Sequence, residues 1–219
     1  MQDQTADIEW RDGVIPVSTM FDDPYFSLDN GMEETRHVFL GGNDLPARFV
    51  DGFHVAELGF GTGLNFLVAL HAFRACGCGG TLRFTSFEAY PMAMDDLHAA
   101  LRTFDGLPDD LTRADTFPRH LEGADFELRV VIGDAREILP EWCGAADAWF
   151  LDGFSPAKNP ELWSPELMSQ VAQHTAKGGT AATYTAAGFV RRGLADAGFD
   201  VRRVQGYGRK RHMTQAVLT

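Results

Sequence analysis

A chain of 219 residues, 45% hydrophobic and 23% charged, has the composition of one globular domain able to bury roughly 70% of its unfolded surface. The acidic, polar start MQDQTADIEWRDG reads as neither a secretory nor a transit leader, and the apolar runs are too short for a membrane span. Three cysteines, Cys76, Cys78 and Cys143, form no C-x-x-C pair, which argues against a disulfide scaffold or zinc ribbon and for a reducing, cytoplasmic setting. A net charge of −12 argues against gripping nucleic acid with the whole surface. Residues 177–219, however, carry eight Lys or Arg against two Asp, a basic end suited to a local anionic ligand or simply a set of solvated charges.

Residues 1–50 follow no alternation of strands and helices. They read as an N-terminal extension packing on the site, with a short hairpin around Gly41-Gly42. Residues 51–219 read as the main domain. FHVAEL (53–58) is a first strand, and residues 63–74 place Leu64, Leu67, Val68 and Leu70 at helical spacing. TLRFTSFEA (81–89) is a second strand, followed by a helix over 93–104. ELRVVIGDA (127–135) and DAWFLD (147–152) are the third and fourth strands. Residues 160–176 form a helix with an early proline, ended by Lys177-Gly178-Gly179. GTAATY (179–184) is a fifth strand, and residues 186–198 a helix closed by Gly198. Two last strands, 199–204 and 212–218, are joined by QGYGRKR, too short for a crossover helix. The expected fold is therefore α/β and Rossmann-like: a seven-stranded, mostly parallel sheet with its last strand antiparallel. Ligands of such sheets sit beyond the carboxyl ends of the strands.

Chemistry concentrates at those ends. ELGFGTGLN (57–65) follows the first strand, so Gly59, Gly61 and Gly63 permit a tight turn and close approach of a ligand to the helix behind. Glu57, Phe60, Thr62 and Asn65 share that loop. Its G-x-G-x-G spacing brings the third glycine one position early for a dinucleotide fingerprint, and a purely structural turn would use the same residues. Glu88 ends the second strand, where a carboxylate suits both ribose hydroxyls. Asp134, before Ala135, ends the third and is placed to accept from an adenine amino group. Asp152 ends the fourth. A single such carboxylate is commonly a helix cap. Three with a glycine loop at successive strand ends point to an adenosine cofactor without a diphosphate, S-adenosyl-L-methionine, and so to a class I methyltransferase. The seven histidines are scattered with no i, i+4 pair, and no metal site is expected.

The segments ELGFGTGLNFL, FLDGFSPAKNPELW and GFVRRGLADAGF…GYGRKRHM, with the N-terminal FDDPYFSLDNGMEETRHVFLGGNDLPARF, resemble the methyltransferase domain of the MnmC family. Those are the bifunctional tRNA 5-methylaminomethyl-2-thiouridine biosynthesis proteins. The resemblance covers nearly the whole chain, and LDGFSPAKNPELW is its most specific part. It implies a tRNA substrate, read at the anticodon loop, whose wobble uridine bears an aminomethyl group that takes a methyl from S-adenosylmethionine. Because the chain stops after the last strand, it is expected to stand alone, without the FAD-dependent oxidase domain, and a separate partner would supply the aminomethyl intermediate.

On that reading Asp152 is the catalytic candidate: it would hold the ammonium, orient the amine or accept its proton. The structural alternative is a carboxylate capping its loop through the N–H groups of Gly153 and Phe154. Phe154 would stack on a flipped uracil, and Lys158 would contact a phosphate or base carbonyl. Arg209, Lys210 and Arg211 would meet RNA phosphates, or else form a solvated hairpin tip. Tyr25, Asn30 and Glu34 either close over the cofactor or form a surface flap. Trp163 reads as core. Rival readings are a small-molecule amine methyltransferase or aminopropyltransferase, a nucleotide-dependent dehydrogenase, which the glycine spacing disfavours, and a non-catalytic cofactor- or RNA-binding module.

Overall fold

The computed structural model describes residues 5–27 and 30–219. A small antiparallel sheet comes first: β1 (Ile8–Arg11), β2 (Ile15–Ser18) and β3 (Asp23–Pro24). Next is a five-residue helix, α1 (Gly31–Thr35), capped by the Asn30 side chain, which accepts from the Glu33 N–H. Helical turns continue over Arg36–Leu40 and Gly41–Asn43, so no hairpin forms at Gly41-Gly42. Gly42 is needed there for a different reason: a Cβ on it would lie 2.5 Å from that of Ala182. The glycine marks a close approach to the main sheet and not a turn.

The main sheet has eight strands, one more than expected. They are β4 (His54–Leu58), β5 (Leu82–Glu88), β6 (His120–Glu122), β7 (Phe126–Ile132), β8 (Ala146–Leu151), β9 (Thr175–Thr183), β10 (Phe199–Gln205) and β11 (His212–Leu218), in the order β10-β11-β9-β8-β4-β5-β7-β6. The additional strand, β6, is three residues long, pairs antiparallel at the edge, and has no apolar alternation to announce it. Strands β4, β5, β7, β8 and β9 are parallel, and β11 runs antiparallel between β9 and β10, as the short QGYGRKR connection requires.

Five further helices connect the strands: α2 (Leu64–Cys76), α3 (Met94–Leu101), α4 (Ala135–Ile138), α5 (Pro165–Gln173) and α6 (Gly188–Asp196). The helix expected over 160–176 is broken. A 3-10 turn at Pro160–Trp163 precedes Ser164, whose side chain caps α5 by accepting from the Leu167 N–H, with Pro165 as the first helical residue. Lys177-Gly178-Gly179 does not end that helix; it lies inside β9, which bulges against β8 where Gly178 takes φ +73°.

Period-two alternation in β8 feeds two cores. Ala148 and Phe150 join a cluster with Phe66 and Phe84, while Trp149 and Leu151 join Trp163, Leu167 and Met168. The N-terminal region contributes to the first of these, with Val38, Phe39, Leu40, Leu45 and Phe49 buried in it. Arg48 ties that region down, donating to the carbonyls of Asn43 and Asp147 and to the Thr180 hydroxyl. At β4 the strand order turns in both directions, toward β5 and β7 on one side and β8 and β9 on the other. A crevice for a ligand belongs at the carboxyl end of that switch point.

Candidate active site

A cavity of about 670 Å³ opens there, within the usual range for small-molecule sites. Its floor is the loop after β4. Gly59, Gly61 and Gly63 have φ of +83°, +54° and +77°, a region where a Cβ is strained. A Cβ on Gly59 would lie 3.1 Å from the Cα of Gly153, so the β4 and β8 loops touch. One on Gly61 would lie 3.2 Å from the Tyr25 ring, which packs over the loop from the N-terminal region. Glu88 fastens the loop from the end of β5: its carboxylate accepts from the N–H groups of Gly61 at 2.9 Å and Tyr90 at 2.8 Å. Burial raises its pKa against those bonds.

Beneath the loop Asn65 joins three elements. Its amide NH2 donates to Glu57 at 2.8 Å and to Asp152 at 2.7 Å, and its carbonyl accepts from the Thr35 hydroxyl at 2.8 Å. Glu57 is fully buried, accepts also from Ser86 at 2.7 Å, and has its pKa raised well above the usual range by burial. It supports the site from below and lies outside the cavity lining, one hydrogen bond behind Asn65, which does line it. Asp152 does line it, and burial pushes its carboxyl up to about 7, against the Asn65 and Gly153 hydrogen bonds.

Gly59, Phe60, Gly61, Thr62, Asn65, Glu88, Asp134, Ala135, Asp152, Phe154 and Lys210 all line the cavity. Gly63 does not: its space is closed by Leu111, whose Cδ1 would stand 2.4 Å from an added Cβ. Asp134 lines the cavity and is also a helix cap. It caps α4 through the Arg136 N–H at 2.9 Å and pairs with the Arg136 guanidinium, which holds its pKa below the usual carboxylate range.

Phe154 is not an open platform, since Phe21 stacks on it at 4.7 Å and Tyr25 meets it edge-on at 5.1 Å. Lys158 lies outside the lining; its ammonium pairs with Asp22 at 3.1 Å and Asp23 at 3.6 Å. The Ser155 N–H donates to Asp23 at 2.8 Å, so these contacts strap the SPAKN loop to β3. Arg209 and Arg211, on the β10–β11 loop, also lie outside the lining, and Asn30 serves as a helix cap. Trp163 is core, and its indole N–H donates to the Phe154 carbonyl at 3.0 Å. Tyr25 and Glu34 do line the cavity.

Tyr184 was missed by the sequence reading. It sits one residue beyond β9, the same strand-end position as the acids, and its hydroxyl donates to the Gly153 carbonyl at 2.8 Å. Strand pairing also gathers His120, Glu122 and Glu127 within 4.8 Å at the β6–β7 edge, though Glu127 is engaged by Arg129 at 2.6 Å.

A glycine loop at the switch point, a locked carboxylate on the next strand and a raised carboxyl across the cleft define a doubly wound α/β enzyme with a nucleoside-type cofactor site. Residues 108–219 match the family model described as S-adenosyl-L-methionine-dependent methyltransferase, and the chain belongs to that family. It is 44% identical over 226 residues to the tRNA 5-methylaminomethyl-2-thiouridine biosynthesis bifunctional protein MnmC of Aeromonas salmonicida (strain A449), covering 94% of this chain and 34% of that protein. Against the same-named protein of Pseudomonas aeruginosa PAO1 it is 45% identical over 225 residues, covering 96% and 34%. The chain thus spans about a third of the length of these curated relatives. The crystal structure of MNMC2 from Aquifex aeolicus superposes with a TM-score of 0.75 at 28% identity, covering all of this chain and 72% of that one. Among the described residues no helix is long and apolar enough to cross a membrane.

The lining suits S-adenosylmethionine. Glu88 presents a carboxylate at the cavity wall while holding the loop, and the left-handed glycines leave room for a ligand against the backbone.

Proposed function

We propose that the chain methylates the aminomethyl nitrogen of a wobble uridine in tRNA, producing 5-methylaminomethyl-2-thiouridine, in the cytoplasm and on an intermediate supplied by a separate partner. Support comes from the names of its relatives, which it matches over nearly its full length. The observation that carries the chemistry is the position of Asp152, a half-buried carboxyl that faces the cofactor cleft and accepts from Asn65 at 2.7 Å, with desolvation raising its pKa to about 7.

Bound there, S-adenosylmethionine supplies an electrophilic methyl group on a sulfonium. An ammonium cannot attack it, so the substrate nitrogen must first lose a proton. An unperturbed Asp would take a proton from a lysine-like ammonium at a cost of ~9 kcal/mol; at a pKa near 7 the cost falls to ~5 kcal/mol. Asp152 is the proton acceptor on this reading, with Asn65 fixing the direction of its lone pairs. Glu88 and the glycine loop would hold the adenosine part, with Asp134 and Ala135 beside it. The N-terminal region closes the cleft through Tyr25.

The test is methyl transfer from labelled S-adenosylmethionine to tRNA bearing 5-aminomethyl-2-thiouridine, with unmodified tRNA as control. Transfer to the modified tRNA alone is expected. No transfer, with cofactor binding intact, would sink the tRNA reading and turn the search to small amines.

A further inference from the structure

Around Tyr184 the cleft gathers carboxylates on an ammonium that belongs to the protein itself. Glu34, from α1, is only 13% exposed in its side chain and accepts from the Lys210 ammonium at 2.9 Å. The same ammonium stands 4.1 Å from the centroid of the Tyr184 ring. The hydroxyl bond to Gly153 fixes that ring beside the Asp152 loop. Burial first, then the charges of Asp152, Asp23 and Glu34, holds the Tyr184 hydroxyl well above its usual range, so the ring stays neutral. A carboxylate, a neutral aromatic face and a second carboxyl nearby are the groups that recognise an alkylammonium. Lys210 reaches them from the β10–β11 loop on a flexible stem with its side chain 47% exposed, so it can leave into solvent without disturbing the core.

Resting on the amine-methylation reading above, we propose that Glu34 and the Tyr184 face form the ammonium subsite of the cleft, and that Lys210 is its resident cation, exchanged for the protonated amine of the substrate. One ammonium replaces another, so Glu34 keeps a cationic partner as the amine binds; it faces a neutral amine once the proton has gone to Asp152 and a cation again when methylation yields the secondary ammonium. Glu34 selects the charged group; Asp152, beside it, then takes the proton. A neutral hydroxyl of the same size would displace Lys210 and leave Glu34 without its cation, which disfavours binding. An amine carrying its own carboxylate would be repelled by Glu34. Once displaced, Lys210 rejoins Arg209 and Arg211 on a basic loop suited to polyanion phosphates.

The test is calorimetric binding of 5-aminomethyluridine and 5-hydroxymethyluridine to the full chain holding S-adenosylhomocysteine. A preference for the amine of roughly tenfold or more is expected, the range of a charge-assisted hydrogen bond. Glu34→Gln should abolish that preference, and Lys210→Met, by removing the competing cation, should increase it. Equal affinity for the two nucleosides, no binding of either, or a preference that survives Glu34→Gln overturns the assignment. Thermal melts check folding; should Glu34→Gln fail to fold, weaker amine binding in Lys210→Met overturns it instead. Methyl transfer assayed in parallel keeps the two readings apart. Preference without transfer retains the subsite and removes the methylation reading, whereas transfer with an unchanged KM in Glu34→Gln retains the reaction and removes the subsite.

Discussion

Asp152 satisfies opposing demands: burial makes its charge costly, while Asn65 and the Gly153 N–H stabilise that charge. Asp152→Asn keeps the shape and removes the base. It should lower kcat/KM by about 10²–10⁴-fold while cofactor affinity is held. In the wild type, kcat/KM should rise with pH through about 7 as Asp152 ionises, and this acid limb should vanish in the Asn variant. Asn65→Ala gives a second test. It strips one partner each from Glu57, Asp152 and Thr35, and should cost about 1–3 kcal/mol in denaturant unfolding. Because the Asn65 bond pulls the Asp152 pKa down, its loss should move the acid limb to higher pH. A structural role alone would leave the limb in place.

At the scale of elements, the glycine loop works through backbone shape. Gly63 and Gly13 both take left-handed φ, +77° and +70°, but only Gly63 is hemmed in, with Leu111 at 2.4 Å from an added Cβ. Gly13→Ala should therefore carry the conformational cost alone, about 1–2 kcal/mol, or a Tm loss of ~2–8 °C. Gly63→Ala adds a steric clash, and its Tm loss should be clearly larger in the same calorimetric scan. The loop was legible from its place between an apolar strand and a helix, in line with other strand-end acids, and Asp152 was legible because it breaks an apolar run. The depth of Glu57 was not legible, because strand alternation says nothing about depth and its carboxylate sits in the Asn65–Ser86 network. The ion pairs of Lys158 were not legible, because Asp22 and Asp23 lie more than 130 residues away in sequence. The helical turns at 36–43 are hidden in the sequence because Gly41-Gly42 resembles turn chemistry, whereas the contact that requires Gly42 is with distant Ala182. Strand β6 is too short to carry a pattern; it pairs with β7 and packs Leu121 against the first core.

For the molecule as a whole, the raised carboxyl has a thermodynamic sign. Asp152 titrates near 7 when folded and near 4 when unfolded, so between those values the folded chain binds the extra proton. Stability from this group is full below pH 4 and is lost as pH rises through 7, by at most ~4 kcal/mol. Asp125, Glu127 and Asp134 act the other way. Arg74, Arg129 and Arg136 hold their pKa values low, so their contribution is present above the ordinary carboxylate range and is lost in acid. Urea unfolding from pH 4.5 to 7.5 should show Asp152→Asn gaining on the wild type as pH rises; parallel curves would contradict the buried ionisation. The order of the sheet has a further consequence, for assembly in time. Strand β11 pairs with both β9 and β10, which make no ladder with each other, so an emerging chain cannot seat β10 until residues 212–218 arrive. The loop carrying Lys210 is anchored by the same two strands. On a ribosome the cleft would be built from its floor upward, with the glycine loop first and the wall bearing the exchangeable cation last. A chain cut short at residue 211 should leave β10 without its ladder and open to protease at residues 199–205, whereas the chain that includes 212–218 should be protected there.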